Sequence, residues 1–179
     1  LADVTARTGG RTRILPIIES AAGMWDAMAL ARSDQVERLV FGSIDFQHDL
    51  SIDGDDQELL FVRSQLVLIS RVAGLQSPVD GVTVAIHDLA QVRADTTRAR
   101  RLGFGAKLCI HPAQVAAVQA GFGADAAALA WARRVLDAAA AADGAAVAVD
   151  GEMVDKPVLA RAHALLAQAS ASGATRTPP

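Results

Sequence analysis

The chain has 179 residues, and its 20 acidic and 17 basic side chains leave a formal net charge of −3. No basic stripe is visible, which argues against a nucleic-acid surface, and no apolar run approaches the roughly 20 residues of a membrane span. A single cysteine excludes an intrachain disulfide and favours a reducing compartment. We therefore expect a cytoplasmic α/β protein that binds neither nucleic acid nor a membrane.

Two short apolar strands that each end in a carboxylate dominate the first quarter of the chain. The first lies within Arg13–Gly23 and ends at Glu19, and the second runs from Arg38 to Asp45. A helix from Ala21 to Arg32, capped by Ser20, separates them. Because the carboxyl ends of parallel strands share one edge of a sheet, the two carboxylates are predicted to meet there.

The remaining segments continue the alternation of strands and helices. Before the first strand, residues 1–12 read as a helix tail and a turn at Gly9-Gly10. After Asp45 the predicted segments are a polar loop at 46–56, a helix from Gln57 to Ala73 closed by Gly74, a strand from Val79 to Val84, a helix capped by Asp88 and ending at Leu102 before Gly103, a strand from Ala106 to Ile110, a helix opened by His111-Pro112, a helix over 124–142, a turn at Asp143-Gly144, a hairpin over 147–154, a helix from Pro157 to Gln168 and a tail over 170–179.

This alternation predicts a parallel sheet with helices outside it, and strands of this length fit a (β/α)8 TIM barrel. Such a barrel has eight strands, whereas four are predicted here. We therefore interpret 1–142 as the C-terminal part of a TIM-barrel domain and 143–179 as a C-terminal hairpin, helix and tail; the start at Leu1 instead of Met favours the same interpretation. The alternative is a doubly wound sheet, but Gly103-Phe104-Gly105 precedes a strand instead of following one.

The pair Glu19 and Asp45 suits a hard divalent cation, because Mg²⁺ is often held by one or two carboxylates that leave positions for water and substrate. The alternative is that either acid only stabilises the start of the following helix. The acidic run Asp53–Asp56 lacks the spacing of a twelve-residue calcium loop. It is expected to be a solvated lid.

Four motifs together resemble the citrate lyase β-subunit-like proteins of the HpcH/HpaI aldolase superfamily, which includes malyl-CoA and methylmalyl-CoA lyases. They occur in order and span most of the chain. The motifs are Leu-Pro-Ile-Ile-Glu-Ser-Ala-Ala-Gly, Leu-Val-Phe-Gly-Ser-Ile-Asp-Phe-Gln-His-Asp-Leu, Gly-Ala-Lys-Leu-Cys-Ile-His-Pro-Ala-Gln-Val and Asp-Gly-Glu-Met-Val-Asp-Lys-Pro.

The resemblance implies a barrel of the phosphoenolpyruvate/pyruvate-domain type and a Mg²⁺-dependent carbon–carbon lyase, with Mn²⁺ as an alternative metal. The implied substrate is a citryl-CoA- or malyl-CoA-like thioester, cleaved to acetyl-CoA and an oxo acid. Glu19 and Asp45 match the family's metal ligands. Asp155 matches a catalytic proton-transfer acid that reaches a neighbouring subunit, which implies a homo-oligomer, either a trimer or a hexamer; its alternative role is a helix cap.

Lys107 and His111 match a segment at the barrel mouth, where a CoA-like coenzyme or substrate would lie. Asp80 is a candidate for lining the interior or orienting a metal-bound water. Cys109 and Arg63 are interpreted as structural.

One departure from the family pattern is Ile44, which stands where the family usually has an acid before the metal-binding aspartate. This departure and the missing strands leave two alternatives open. One is an aldolase for a free 2-oxo acid, and the other is a catalytically impaired barrel-derived protein.

Overall fold

A computed structural model of the chain describes residues 2–123, 125–142 and 147–174. It divides into two compact units, Leu1–Phe122 and Gly123–Pro179. The first unit alternates short strands with helices. Its elements are α1 Ala2–Arg7, β1 Ile17–Ile18, α2 Ala21–Trp25, α3 Ala27–Ala31, β2 Val40–Phe41, α4 Ser43–Leu50, a 3-10 turn Gln57–Leu59, α5 Leu60–Val72, β3 Val79–Asp80, α6 Leu89–Leu102, β4 Ala106–Lys107 and α7 Pro112–Phe122.

The four strands of this unit form one parallel sheet in the order β1-β2-β3-β4, which confirms the predicted parallel α/β architecture. Each paired segment is only two residues long, shorter than the predicted strands. Pro16 accounts for part of this difference, because it has no N–H to donate between the isolated bridge at Ile14 and the ladder of β1.

The main core lies between the sheet and its helices. Strand residues Ile18 and Phe41 and the α5 residue Leu66 are each no more than 1% exposed. The predicted periodicity of α5 is confirmed, since its buried residues are Val62, Arg63, Leu66 and Ser70. This packing fixes which way the strands face, because residues adjacent to Ile18 and Phe41 along the chain must point to the other side of the sheet.

Several predicted helix ends are confirmed by their hydrogen bonds. Ser20 accepts from the Gly23 N–H, Asp88 accepts from the first-turn amides of α6, and Gly103 ends α6 at a φ of +101°. Two elements differ from the prediction. The helix predicted over Ala21–Arg32 is divided at Asp26 into α2 and α3, and α4 takes up much of the segment predicted as a polar loop over 46–56.

The second unit contains α8 Ala126–Ala141, a hairpin of β5 Ala148–Val149 and β6 Glu152–Met153, and α9 Lys156–Ala174. The antiparallel hairpin confirms that prediction, and Asp150 and Gly151 at its turn both have positive φ, as a tight two-residue turn requires. The small core of this unit joins α8 to α9 through Ala132, Val135 and Ala162. For this reason the division falls before α8, earlier than the predicted boundary at 142/143. The last helix, α9, continues to Ala174, past its predicted end at Gln168 and into the predicted tail. The predicted turn at Asp143-Gly144 and the end of the predicted tail, 175–179, lie outside the described residues.

By length and composition alone, the stretch Pro112–Ala141 is apolar enough to cross a membrane. It comprises two separate helices, α7 and α8. Helices of proteins without a membrane span can have the same length and composition. The absence of a membrane partner therefore stays a prediction.

Candidate metal centre

Glu19 directly follows β1 and lies on the side of the sheet that the helices do not cover. Its neighbour Ile18 points into the helix-covered core, so Glu19 and Ile17 point the other way, and Ile17 is 53% exposed. The Glu19 side chain lies over Gly42, since a Cβ placed on Gly42 would be 2.6 Å from Glu19 Cβ and 3.2 Å from its Oε2. The missing side chain at Gly42 thus makes the space that the Glu19 carboxylate occupies.

Asp45 lies on the first turn of α4, three residues after Gly42. The prediction that it ends a strand is therefore wrong, because β2 ends at Phe41 and Gly42 already caps α4. A carboxylate is favourable in this first turn, where the backbone amides have no partner within the helix. Glu19 over Gly42 and Asp45 on the next turn nevertheless place both acids around the start of α4, at the carboxyl end of the sheet.

Asp49, one turn further along α4, ties this helix to the segment that follows Glu19. Its Oδ2 accepts a hydrogen bond of 2.7 Å from the Ala21 N–H at the start of α2. Since Glu19 and Asp45 are both exposed, their oxygens remain accessible to a cation. Within the described part of the chain no cluster of three or more His, Cys, Asp or Glu side chains is arranged to hold a metal. A pair of carboxylates that leaves coordination positions for water and substrate suits Mg²⁺.

Asp80 and Lys107 lie on the opposite face of the sheet from Glu19. They are register partners on β3 and β4, and the register of β2 with β3 places them in a row with the core residue Phe41. Asp80 is completely buried, with one oxygen 3.0 Å from Arg63 Nε and the other without a partner in the described structure. Lys107 donates to the Gly81 carbonyl at 2.6 Å. The structure thus buries both residues against the helices, and their predicted contact with substrate or CoA stays a prediction.

Burial lowers the pKa of the Lys107 ammonium, although the carboxylates of Asp80, Asp95 and Asp55 act in the opposite direction. Burial also opposes the charge of Arg63, but Asp80 and Asp55 together outweigh it and raise the pKa of that guanidinium. Asp80 and the two cations, Arg63 and Lys107, are therefore buried charges of opposite sign that stabilise one another on the helix-covered side of the sheet.

Asp55 is bound to the buried Arg63, which corrects the expectation of a solvated lid at that position; Asp53 and Asp56 are exposed, as expected. Its carboxylate accepts from Arg63 Nη2 at 2.8 Å and from Arg98 Nη2 at 2.9 Å. The structural role predicted for Arg63 is confirmed, since its side chain is 1% exposed and holds Asp55 and Asp80 together. The sequence does not single out Arg98, because a basic residue on α6 that pairs with the distant Asp55 has no local signature.

His111 caps α7 and lies beside a second histidine that sequence reasoning did not single out. Its Nδ1 accepts a hydrogen bond of 3.1 Å from the Ala113 N–H. The ring of His87, in the loop between β3 and α6, has its centroid 5.8 Å from that of His111. The predicted helix start at His111-Pro112 is confirmed, and a substrate contact by His111 stays a prediction.

Asp155, in the second unit, caps α9 by accepting a hydrogen bond of 3.0 Å from the Val158 N–H. The structure therefore shows Asp155 in its alternative role, as a helix cap. Its other carboxylate oxygen has no hydrogen bond in the described structure. The predicted catalytic role stays a prediction.

Comparison with known proteins gives a consistent result. The sequence profile of the HpcH/HpaI aldolase/citrate lyase family matches residues 3–112. The citrate lyase subunit beta-like protein of Deinococcus radiodurans is 41% identical over 158 residues, which are 86% of this chain and 55% of that protein. The citrate lyase subunit beta of Escherichia coli K12 is 32% identical, over 93% of this chain and 57% of that protein.

Among solved structures, CitE from Mycobacterium tuberculosis in complex with magnesium, acetoacetate and coenzyme A superposes with a TM-score of 0.77 at 29% identity. The match covers 88% of this chain and 61% of that chain. This chain therefore spans a little more than half the length of the relatives that it matches.

Proposed function

Because the chain belongs to the HpcH/HpaI aldolase/citrate lyase family, we propose that it is part of a Mg²⁺-dependent carbon–carbon lyase that cleaves a citryl-CoA- or malyl-CoA-like thioester. The observation that carries the proposal is the pair of exposed carboxylates around the start of α4, with Glu19 seated over Gly42 and Asp45 on the following turn. The magnesium, acetoacetate and coenzyme A bound by the mycobacterial relative support the same class of metal and substrate.

The chemistry follows from the donor set. A divalent cation bound there would act as a Lewis acid that stabilises negative charge on a substrate oxygen next to the breaking bond. Glu19 and Asp45 would hold the cation, and two carboxylates would leave coordination positions for the substrate. The missing side chain at Gly42 makes room for the Glu19 side chain. Asp155 is the proposed proton-transfer group for the acetyl carbon, brought to the site by a neighbouring subunit.

We also propose that the parallel sheet is one half of a TIM barrel. In the described structure β1 and β4 each pair with one strand only, and Leu15 and Ile17 are 46% and 53% exposed on or near β1. Four more β/α units would pair both edges and cover these side chains. The match to little more than half of each relative supports this arrangement.

The remaining parts of the proposal are a homo-oligomer, either a trimer or a hexamer, and a cytoplasmic location. Mn²⁺ is the proposed substitute for Mg²⁺, since both prefer oxygen ligands. Sedimentation velocity of the natural polypeptide tests the assembly, and a trimer or hexamer is the expected species. A monomer at micromolar concentration would remove the neighbouring-subunit role of Asp155.

The metal site is tested on the chain itself by titration calorimetry with Mn²⁺. Glu19→Gln and Asp45→Asn are each expected to reduce affinity beyond detection and to leave the fold intact, because both side chains are exposed. Asp34→Asn is the matched control, an exposed acid in the segment before β2. Affinity retained in both site variants would refute the assignment.

The activity is tested on the natural polypeptide with malyl-CoA and with citryl-CoA, with and without a chelator. Release of acetyl-CoA that stops on chelation supports the proposal. Turnover of 4-hydroxy-2-oxo acids in place of the thioesters would indicate the aldolase alternative, and no turnover of any of these would indicate the impaired barrel.

A further inference from the structure

We infer that His87 and His111 form an oxyanion-binding pair, a site for a carboxylate or phosphate group separate from the two metal-binding carboxylates. The two rings come from neighbouring loops at the carboxyl end of the sheet, one after β3 and one after β4. Their centroids are 5.8 Å apart and their planes meet at 68°. Ligands of parallel α/β folds bind at this end of the strands.

The hydrogen bonds of His111 decide what kind of ligand the pair can take. Its Nδ1 accepts from the Ala113 N–H at 3.1 Å, so the neutral ring carries its proton on Nε2. A metal ion would need the lone pair of Nε2 and would force a proton onto Nδ1, against the Ala113 N–H. His111 therefore presents a hydrogen-bond donor, which selects an oxyanion and disfavours a metal.

The loops that carry the two rings are fixed to each other by a buried amide. Gln114 is 1% exposed; its Nε2 donates to the Thr83 carbonyl at 2.9 Å, and its Oε1 accepts from the Ile110 N–H at 3.1 Å. One side chain thus spans the loop before His87 and the residue before His111. The segments that lead to the two rings are accordingly held together by a buried contact.

The charges around the pair permit an anion. The acid next to His87, Asp88, is occupied at the start of α6, where its Oδ1 accepts from the Ala90 and Gln91 amides. Both histidines are exposed. The His87 ring makes no hydrogen bond within the described residues, and the His87 backbone carbonyl accepts from the Leu89 N–H at 3.1 Å. A bound oxyanion can therefore accept from both rings at once without displacing a protein contact.

The test is calorimetric titration of the chain with inorganic phosphate and, separately, with malonate, in a chelator-containing buffer. One anion per chain is expected to bind, and the better of the two probes identifies phosphate or carboxylate as the source chemistry. His87→Ala and His111→Asp should each weaken binding at least tenfold. The second substitution keeps an acceptor for the Ala113 N–H, so the start of α7 stays capped while the donor is lost. His163→Ala, an exposed histidine on α9, is the matched control and should bind like the parent chain.

Three outcomes overturn the inference. The first is no detectable binding of either anion up to about 50 mM, which is 50-fold above an assay concentration of about 1 mM. The others are anion affinity that is unchanged in both variants, and Zn²⁺ binding that is lost in both variants. The Glu19→Gln variant separates this site from the proposed metal centre. It should keep the anion affinity, and loss of that affinity would place the anion at Glu19 instead.

Discussion

Gly42→Ala is the substitution that probes the candidate site most directly without touching a charged group. The added Cβ would lie 2.6 Å from Glu19 Cβ and 2.9 Å from Ile17 Cγ2. Carbon atoms in contact are normally about 3.5–4.0 Å apart, so Glu19 Cβ and the new Cβ must separate by about 1 Å. Both clashing groups belong to residues in or next to β1, whose backbone is hydrogen-bonded to β2. Because Glu19 Cβ is bonded to the backbone, rotating the side chain cannot relieve this contact. The backbones of β1 and the segment after β2 must therefore separate locally, and this carries the Glu19 carboxylate away from its place.

A shift of this size matters because metal–ligand distances are tolerated only within about 0.2 Å. We expect Gly42→Ala to raise the Kd for Mn²⁺ by about 10- to 100-fold, the range found when groups that orient a ligand are changed. Overpacking should also lower the free energy of unfolding by about 1–3 kcal/mol. Titration calorimetry measures the first effect, and urea denaturation followed by circular dichroism measures the second.

The control is Gly121→Ala in α7, where the added Cβ would lie 2.5 Å from Thr96 Cγ2. This clash is equally severe but involves neither carboxylate, so stability should change while metal affinity stays the same. If Gly42→Ala folds and binds Mn²⁺ like the parent chain, the Glu19 carboxylate is not held in place by Gly42. The geometric argument for the site is then lost.

The remaining predictions concern four other positions. Arg63→Met leaves the buried Asp80 carboxylate unpaired and should lower the free energy of unfolding by about 3–5 kcal/mol in urea denaturation. Ile44→Asp adds a charge beside Asp45 and should tighten Mn²⁺ binding about fivefold in calorimetry. Asp155→Asn keeps a helix cap, so melting should barely change, while exchange of the thioester α-protons, followed by NMR, should slow about 100-fold or more. Burial raises the pKa of the Cys109 thiol, so iodoacetamide should alkylate it more slowly at pH 8 than a free thiol, and the rate should keep rising above that pH.

Each of these predictions has a control and a contradicting result. Arg63→Met combined with Asp80→Leu should recover part of the lost stability, and no recovery would mean that the ion pair is not what Arg63 maintains. Ile44→Asn should leave metal affinity unchanged; an equal gain would exclude a charge effect. Unaltered proton exchange in Asp155→Asn would reduce that residue to a cap. Alkylation of Cys109 at the rate of a free thiol would contradict its burial.

The parts of the fold that the sequence predicted correctly depend on local chemistry. The capping oxygens of Ser20 and Asp88 act on amides two or three residues away, and Gly103 adopts a φ of +101° that other residues avoid. The parallel sheet followed from the alternation of strands with helices. These features need no knowledge of distant residues.

The parts that were missed depend on contacts between distant segments. The run around Asp45 has the apolar composition of a strand, but α4 starts at Ser43, directly after Gly42. Gly42 packs against Glu19 and Ser43 packs against Gly81, the residues that follow β1 and β3. The sequence predicts a solvated Asp55 because the two arginines that bind it lie outside its loop, on α5 and α6. For the candidate site, the spacing and the family motifs suggested Glu19 and Asp45 together. That Glu19 and Asp80 lie on opposite faces of the sheet can be known only from the register of its strands.

The two sides of this sheet impose different rules on how the protein can diverge. At the exposed positions Ile17 and Glu19 a substitution meets solvent or ligand, so its effect falls on chemistry more than on folding. On the helix-covered side, Asp80 and Arg63 neutralise each other in a dry environment, and replacing one alone strands the other. Relatives with new substrates can thus arise by single changes at the exposed positions, while Asp80 and Arg63 must change together or be kept.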